Sequence, residues 1–261
     1  MEESVKNEVA KGITEIGNKA YDDALRPTLQ SVGGTLGNIV DFLGIATMPL
    51  KYWSEKVRLN FAHRLEQYKE KLESVPEDKR CEVPPEIGIP AIQALPYTTN
   101  DDVADLFTDL LINASTIDMI QFAHPSFTEI IKRLSPDEAR IIKYLKGRDH
   151  ICYSDIKGYS KSGKGFNTLF SHITLISNVV TLDFPNNENA YMANLVSLGI
   201  IYDQDSLYKI DQTDYDKIKD KIRLDALQQQ LVPNVFKSIT QENHFYQVTD
   251  FGALFINACV K

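Results

Sequence analysis

The sequence has few cysteines, no surplus of basic residues and no secretion signal. Its 261 residues include three cysteines, Cys81, Cys152 and Cys259, and none of them forms a CxxC pair. An odd number of widely spaced cysteines argues against a disulfide framework and indicates a reducing compartment. Residues 1–21 are charged and lack the apolar core and cleavage site of a signal peptide. We therefore expect a cytoplasmic protein.

The charge balance also argues against an ordinary nucleic-acid binder. The chain has 28 Lys and Arg against 36 Asp and Glu, which gives a formal net charge of -8. Dedicated nucleic-acid binders carry a basic surplus, because contacts to phosphate dominate their affinity. Nucleic acid is therefore a disfavoured partner. The best local basic patch contains Lys157, Lys161 and Lys164, and it is a candidate contact for nucleic acid or for an acidic partner.

The most apolar stretch, residues 29–53, is too polar for a typical membrane span. Asp41 lies near its middle, where a charge is costly in lipid. Its Gly33-x-x-x-Gly37 spacing would let another helix approach closely. We interpret the stretch as the buried arm of a helical hairpin. The alternative is that residues 29–50 bind a partner helix or lie peripherally on a membrane surface.

Residues 1–120 are predicted to form a helical region. Apolar residues at steps of three and four predict an amphipathic helix over Tyr52–Val75. Residues 76–96 contain five prolines and read as a linker with a short helical piece. A second clear helix follows, with Thr99 or Asn100 as its cap and Asp101 and Asp102 in its first turn.

Residues 121–261 are predicted to form a winged-helix-like α+β domain with short β-hairpins, which makes the fold class mainly α. Capping boxes at Ser126-x-x-Glu129 and Ser135-Pro-Asp-Glu138 mark two helix starts, the second helix running over Pro136–Lys146. Further helices are expected at Phe166–Ser177, Ala190–Leu198 and Thr213–Gln230, and after Thr249. Short strands are expected at Ile200–Tyr202, Leu207–Ile210, Val235–Ile239 and Phe245–Val248, the last two forming a hairpin around Gln241–His244. Helices, a two-stranded wing and a closing helix are typical of a winged helix.

No catalytic, cofactor or metal site is predicted. Gly158–Gly165 resembles a phosphate-binding loop, but Gly165 stands where such a loop needs a hydroxyl, and Tyr153–Lys157 does not read as the buried strand that should precede it. We therefore expect a flexible cationic loop between helices. His150-x-Cys152 has no second ligand pair at zinc spacing, and no HExxH motif occurs.

One segment of the sequence resembles a known family. The run His124-Pro-Ser-Phe-Thr-Glu-Ile-Ile-Lys-Arg-Leu-Ser-Pro-Asp-Glu-Ala139 is similar to the hallmark of the bacterial abortive infection alpha (Abi-alpha) family, a domain of unknown function. Upstream, Thr99–Ser115 and the proline-rich Val83–Leu95 follow the family's order of elements. The motif residues His124, Pro125, Ser126 and Phe127 mark either a fold-specific helix junction or a binding site. From its position at a tight helix start, His124 is expected to bond to nearby backbone.

The resemblance implies a role in bacterial defence against phage, in which infected cells stop growing or die. We expect a non-enzymatic protein that acts through protein or membrane-surface contacts, with a protein partner or a second copy of itself. One alternative is a winged-helix transcriptional regulator that binds DNA. It is weakened because the expected recognition helix, Phe166–Ser177, has only His172 as a candidate cation. A second alternative is an effector enzyme whose site assembles from distant residues.

Overall fold

The computed structural model describes residues 28, 32–37, 54–163, 165–205, 207–232 and 235–261. The chain divides into two compact units, residues 1–136 with 257–261 and residues 137–256. The described part of the first unit is helical, and the second unit combines helices with an antiparallel sheet. The chain is thus mainly α with α+β character, as the sequence predicts at this coarse level.

The first unit is built from helices joined by short turns. Besides the helical residues 32–37, it contains α1 (Glu55–Glu73), α2 (Pro85–Ala94), α3 (Asp101–Ala114) and α4 (Phe127–Lys132). Three 3-10 turns lie between them, at Glu77–Lys79, Leu95–Tyr97 and Ile120–Phe122. Of the apolar residues 29–53, only 32–37 are described, so the predicted membrane or partner contact of residues 29–50 lies largely outside the described residues. Among all the residues of the chain that the structure describes, no helix combines the length and hydrophobicity that a membrane crossing requires.

The amphipathic helix predicted over Tyr52–Val75 is confirmed as α1. Phe61, Leu65, Tyr68 and Leu72 are buried at the predicted helical spacing, and α1 packs against α3. The amide of Asn60 donates to the carbonyl oxygens of residues 95, 96 and 98, at 3.0 to 3.2 Å. This single side chain therefore fixes the turn between α2 and α3 to the flank of α1.

Helix α3 begins as predicted, with Asn100 as its cap. The Asn100 Oδ1 accepts a hydrogen bond from the N–H of Val103 at 3.2 Å. Further along α3, Asp109 accepts from Lys71 Nζ at 2.7 Å and from the backbone N–H of Lys261 at 3.2 Å. The same helix therefore anchors both α1 and the end of the chain.

The capping box predicted at Ser126 is wrong. Ser126 precedes α4, but its side chain makes no capping hydrogen bond, because its Oγ instead lies 2.7 Å from His124 Nδ1. The start of the next helix at Pro136 is confirmed. There the carboxylate of Glu138 also accepts a hydrogen bond from Asn194 Nδ2 at 2.8 Å, a contact between residues distant in the sequence.

The second unit is organised around a four-stranded antiparallel sheet of order β2-β1-β4-β3. The strands are β1 (His150–Ser160), β2 (Phe166–Thr174), β3 (Ile201–Gln204) and β4 (Phe236–Val248). Its helices are α5 (Pro136–Tyr144), α6 (Ile176–Val179), α7 (Glu188–Ser197), α8 (Thr213–Lys221), α9 (Leu224–Leu231) and α10 (Asp250–Cys259), with a 3-10 turn at Pro185–Asn187.

The helix predicted over Phe166–Ser177 is wrong, and a winged helix is not confirmed. Most of this segment is the edge strand β2, which pairs with β1 from Tyr159↔Phe166 to Tyr153↔Thr174. The prediction that Tyr153–Lys157 is not a buried strand is wrong as well, since these residues lie within the central strand β1. Both errors have one cause: pairing between neighbouring strands outweighs the weak local preference of either segment.

The hairpin predicted from Val235–Ile239 and Phe245–Val248 is also wrong. Apart from Val235, both segments belong to one long strand, β4, and the predicted turn Gln241–His244 lies within it. These polar residues fit inside a central strand because they find partners there. Gln241 Nε2, for example, donates to Ser154 Oγ at 3.0 Å and to the Tyr215 carbonyl at 2.9 Å.

Other elements after α6 agree with the sequence only in part. The helix predicted over Ala190–Leu198 and the closing helix capped by Thr249 are confirmed as α7 and α10. The short strand at Ile200–Tyr202 is confirmed as β3, whereas Leu207–Ile210 is a loop. The long helix over Thr213–Gln230 is broken at Arg223, whose φ of 52° is left-handed, and it therefore forms α8 and α9.

The two faces of the sheet differ in character. Helices α8 and α9 cover one face, where Cys152 and Ile156 of β1 meet Tyr215, Ile218 and Leu224. Alternate residues of a strand point to opposite faces, so the remaining residues of β1 and their partners form a second face. That second face is polar and holds the candidate site.

Candidate functional site

Polar and aromatic side chains from all four strands share the second face of the sheet, which we call the polar face. Strand pairing places Tyr153 opposite His244, Asp155 opposite Glu242, and Tyr246 opposite Asp203. The polar face consists of Tyr153, Asp155, Lys157, Tyr159, His172, Asp203, Thr240, Glu242, His244 and Tyr246.

Tyr153 is the centre of the polar face. Its ring stacks between those of His172, at a centroid distance of 4.8 Å, and His244, at 5.1 Å. The ring of Tyr246 packs at 4.7 Å. Tyr153 and Tyr246 are almost fully buried. Such aromatic pairs add to the stability gained from burial alone, so this part of the face is held in one arrangement.

The Tyr153 hydroxyl donates a hydrogen bond of 2.6 Å to the carboxylate of Asp203. Burial raises the pKa of Tyr153, and the Asp203 carboxylate acts in the same direction. Burial also raises the pKa of Tyr246, with a further contribution from Asp203 and Asp155. Both phenols therefore stay protonated, and Tyr153 serves as a donor that positions Asp203.

His172 shows how far the sheet curls toward the polar face. It lies on β2, three strand spacings from Asp203 on β3, which would be about 14 Å in a flat sheet. Its Nε2 is nevertheless only 3.7 Å from Asp203 Oδ2. Its backbone has a left-handed φ of 53°, uncommon outside glycine, and its N–H donates to Asp155 Oδ1 at 2.8 Å. Asp155 thus holds His172 in the conformation that directs its ring across the face.

An ion pair lies further along the polar face. Lys157 Nζ is 2.5 Å from Glu242 Oε2, and the Tyr159 hydroxyl donates to Glu242 Oε1 at 3.1 Å. The hydrogen bond between the two charged groups raises the pKa of Lys157 and lowers that of Glu242. Both side chains remain charged at neutral pH, and the pair fixes the middle of the face.

Two buried atoms on the polar face have no hydrogen-bond partner among the described residues. They are Thr240 Oγ1 and His244 Nδ1, on the same strand and four residues apart. Buried polar atoms in folded proteins are nearly always satisfied, and each exception calls for an explanation.

The structure places the family motif and the predicted basic patch in different units. In the first unit, His124 Nδ1 accepts from the backbone N–H of Ser126 at 3.2 Å, as expected for this histidine, and Phe127 is buried beneath it. In the second unit, Lys157 lies on the polar face and Lys161 lies in the turn after β1. Lys164 lies outside the described residues. A binding role for the motif or for the lysines stays a prediction.

The resemblance of Gly158–Gly165 to a phosphate-binding loop does not extend to its surroundings. These residues connect two antiparallel strands, whereas a phosphate-binding loop leads from a strand into a helix. Among the residues that the structure describes, no three histidine, cysteine or acidic side chains are grouped so that they could hold a metal ion.

The sequence did not reveal the role of His172, Asp203 and His244. One signal was available, because Tyr153, Asp155, Lys157 and Tyr159 alternate with smaller or apolar residues at a period of two. That period predicts a strand with one polar face. The partners from β2, β3 and β4 could not be found in this way, since only the pairing register brings them together.

We expect Tyr153→Phe to destabilise the protein by about 1 kcal/mol, because it removes the hydrogen bond to Asp203. The loss stays modest because Asp203 is 33% exposed and water can replace the phenol. Urea unfolding followed by circular dichroism would measure it. Tyr202→Phe, at an exposed tyrosine, is the matched control. Equal unfolding free energies for the two variants would contradict the role given to Tyr153.

The model of the family described as "Abortive infection alpha" matches residues 56–259. No curated protein matches the sequence. Among solved structures, an uncharacterized protein from the hydrocarbon-degrading marine bacterium Alcanivorax borkumensis SK2 is 13% identical, with 54% of this chain and 94% of that chain covered and a TM-score of 0.33. A TM-score this low does not establish a shared fold. The family match, in contrast, spans well over half of the sequence. The chain belongs to the abortive infection alpha family.

Proposed function

We propose that this protein acts in bacterial abortive infection as a non-enzymatic binding protein, and that the polar face recognises its partner. Abortive infection is the activity for which the family is named. The observation that carries the binding role is that all four strands bring polar and aromatic side chains to one face. The partner we propose is a protein, either another protein or a second copy of this chain.

Contacts within the polar face favour recognition over catalysis. The Tyr153 hydroxyl is bonded to Asp203, and Lys157 is bonded to Glu242. The nitrogens of His172 lie 4.0 and 3.7 Å from Asp155 and Asp203. A general acid or base needs an atom that can reach the substrate. Here the reactive atoms face one another, which supports a rigid recognition surface.

The alternative role as a regulator of transcription receives less support. The predicted recognition helix is the strand β2, and Lys157 is neutralised by Glu242. A winged-helix reader inserts a helix into the major groove, and its affinity depends on contacts to phosphate. Tight binding to duplex DNA that depended on base sequence would overturn the proposed role.

Phage infection of cells that express the protein would test the proposal. We expect protection of the culture when phages are fewer than cells, and collapse of the culture when every cell is infected, because abortive infection sacrifices infected cells. We expect Asp203→Asn to lose most of this protection, since it removes the charge that the polar face presents next to His172 while keeping the shape of the side chain.

The matched control is Asp225→Asn on α9, where the carboxylate is 71% exposed and pairs with Lys219. Both variants should be as abundant and as stable as the natural protein. If Asp203→Asn protects as well as Asp225→Asn does, the polar face is not the recognition surface. If the natural protein gives no protection, or protects without the death of infected cells, the role in abortive infection is wrong.

A further inference from the structure

The turn between β1 and β2 forms a cationic and aromatic surface next to the polar face. A cavity of about 490 Å³ elsewhere in this unit is lined by side chains of both charges, among them Lys209, Asp211 and Asp214, whereas one of about 300 Å³ lies at this turn. We call the turn and its neighbours on β4 the hairpin tip. Its lining residues are Tyr159, Ser160, Gly163, Gly165, Phe166, Lys237 and Ser238.

The hairpin tip has no acidic residue of its own. Residues 157–166 and 235–240 contain Lys157, Lys161, Lys164 and Lys237 but neither Asp nor Glu. The nearest carboxylate on the face, Glu242, is already bound to Lys157 and Tyr159. Lys161 and Lys237 are exposed. On a chain of net charge -8, this end of the sheet therefore has a local positive charge.

An exposed aromatic ring, that of Phe166, lies beside Lys157. Phe166 is 50% exposed, although a phenylalanine usually gains stability from burial. One side of its ring is supported, because Lys157 Nζ lies 4.6 Å from the ring centroid and the Tyr159 ring lies at 5.8 Å. The ring is thus held in place while half of its surface remains open to solvent.

The backbone of the turn leaves room beside this ring. Gly163 and Gly165 have φ of 72° and 78°, and a Cβ at either position would meet nothing within 4 Å. Ser160 Oγ and Ser162 Oγ lie 2.8 Å apart in the same turn. Hydroxyls, lysines and open backbone next to a supported aromatic ring can bind a phosphate and a planar base together.

We propose that the hairpin tip binds single-stranded nucleic acid, with a base stacked on Phe166 and the backbone phosphates near Lys161 and Lys237. An unpaired base exposes the planar surface that stacking requires, whereas the bases of a duplex are stacked on one another. The tip offers no helix for a major groove. The hairpin tip adjoins the polar face and shares Tyr159 with it, but the inference does not depend on the function proposed above.

Fluorescence anisotropy with a labelled oligothymidine at low salt would test the proposal on the full chain. We expect saturable binding that weakens with salt at a slope of about -1.4, the value for two phosphate contacts to a single strand. Phe166→Ala should weaken binding by about 5- to 150-fold, the range for loss of one stacked base, while Phe166→Tyr should retain it. Lys161→Gln combined with Lys237→Gln should remove most of the salt dependence.

Phe184→Ala, at a 66% exposed phenylalanine, and Lys217→Gln, at a 60% exposed lysine on α8, are the matched controls and should bind like the natural protein. The proposal is overturned if no saturable binding occurs at low salt, or if Phe166→Ala binds as tightly as Phe184→Ala. It is also overturned if duplex DNA or a labelled polyglutamate peptide binds equally well, since neither offers an unpaired base. Phage protection is a separate readout, so either proposal can fail alone.

Discussion

Replacing Asp137 by asparagine is expected to destabilise the second unit by about 3–5 kcal/mol, the usual cost of breaking a buried charged pair. Asp137 is 2% exposed, and each of its carboxylate oxygens accepts two hydrogen bonds. Oδ1 accepts from the N–H of Asp183 at 2.8 Å and from Arg140 at 3.0 Å. Oδ2 accepts from the N–H of Phe184 at 2.9 Å and from the Tyr191 hydroxyl at 2.8 Å.

Asparagine fits this position in size but not in chemistry. Its amide has one oxygen, so two of the four donors would face an NH₂ group that cannot accept from them. A buried donor without an acceptor loses its hydration and gains nothing in return. Because typical domains are stable by only about 5–15 kcal/mol, the variant would unfold at a much lower urea concentration.

The effect of Asp137→Asn should also depend on pH. Burial opposes ionisation of this carboxyl, but the N–H groups of Asp183 and Phe184, the Tyr191 hydroxyl and Arg140 outweigh it, and they lower its pKa below the ordinary value of 3.8. The ionised carboxylate therefore stabilises the fold fully above the ordinary pKa, and this contribution is lost as the pH falls through the lowered value. The difference between the natural protein and the variant should shrink below about pH 4.

Urea unfolding at neutral and acidic pH would measure both effects. Asp225→Asn is the control. Because this carboxylate is exposed, its replacement should change the free energy of unfolding by no more than about 0.5 kcal/mol. If Asp137→Asn is no less stable than this control, Asp137 does not organise the second unit. A difference that stays constant down to the most acidic pH would instead show that packing, and not charge, accounts for the loss.

Asp137 also shows where the sequence was informative and where it was not. Ser135-Pro136-Asp137-Glu138 correctly predicts a helix start, because that signal is local. The role of Asp137 depends on residues 46 and 47 positions away, which no local pattern reveals. Within the segment His124–Ala139, Phe127, Asp137 and Glu138 are buried in their units, so these residues have structural roles.

The same distinction separates the helices from the sheet. Helices α1 and α3 could be predicted, because a repeat of three to four residues and a cap lie within one segment. The strands β1, β2 and β4 were missed in whole or in part, because their stability comes from register with each other. The polar face could not be predicted for that reason, while the basic character of the hairpin tip is visible in the sequence as closely spaced lysines, Lys157, Lys161 and Lys164.

Gly252→Ala should be among the most damaging single changes in the chain, although alanine favours helices over glycine by about 1 kcal/mol. Gly252 lies in the first turn of α10, against the backbone of Ile200. A Cβ at this position would come within 2.8 Å of the Ile200 carbonyl carbon and nearer still to its oxygen. Backbone cannot move aside as a flexible side chain can, so we expect a loss of at least about 3 kcal/mol, the upper end for an overpacked core.

The clash can be separated from failure of the helix cap. Thr249 starts α10, its Oγ1 accepting from the N–H of Gly252 at 2.7 Å, and Thr249→Ala should cost about 1–2 kcal/mol by removing that bond. Ala253→Gly, at the exposed neighbouring position, should cost about 1 kcal/mol through helix propensity alone. If close packing on Ile200 is the cause, Gly252→Ala must lose more stability than either variant in thermal unfolding. A loss no larger than that of Thr249→Ala would mean that the helix can move away from Ile200, and that glycine is not required there.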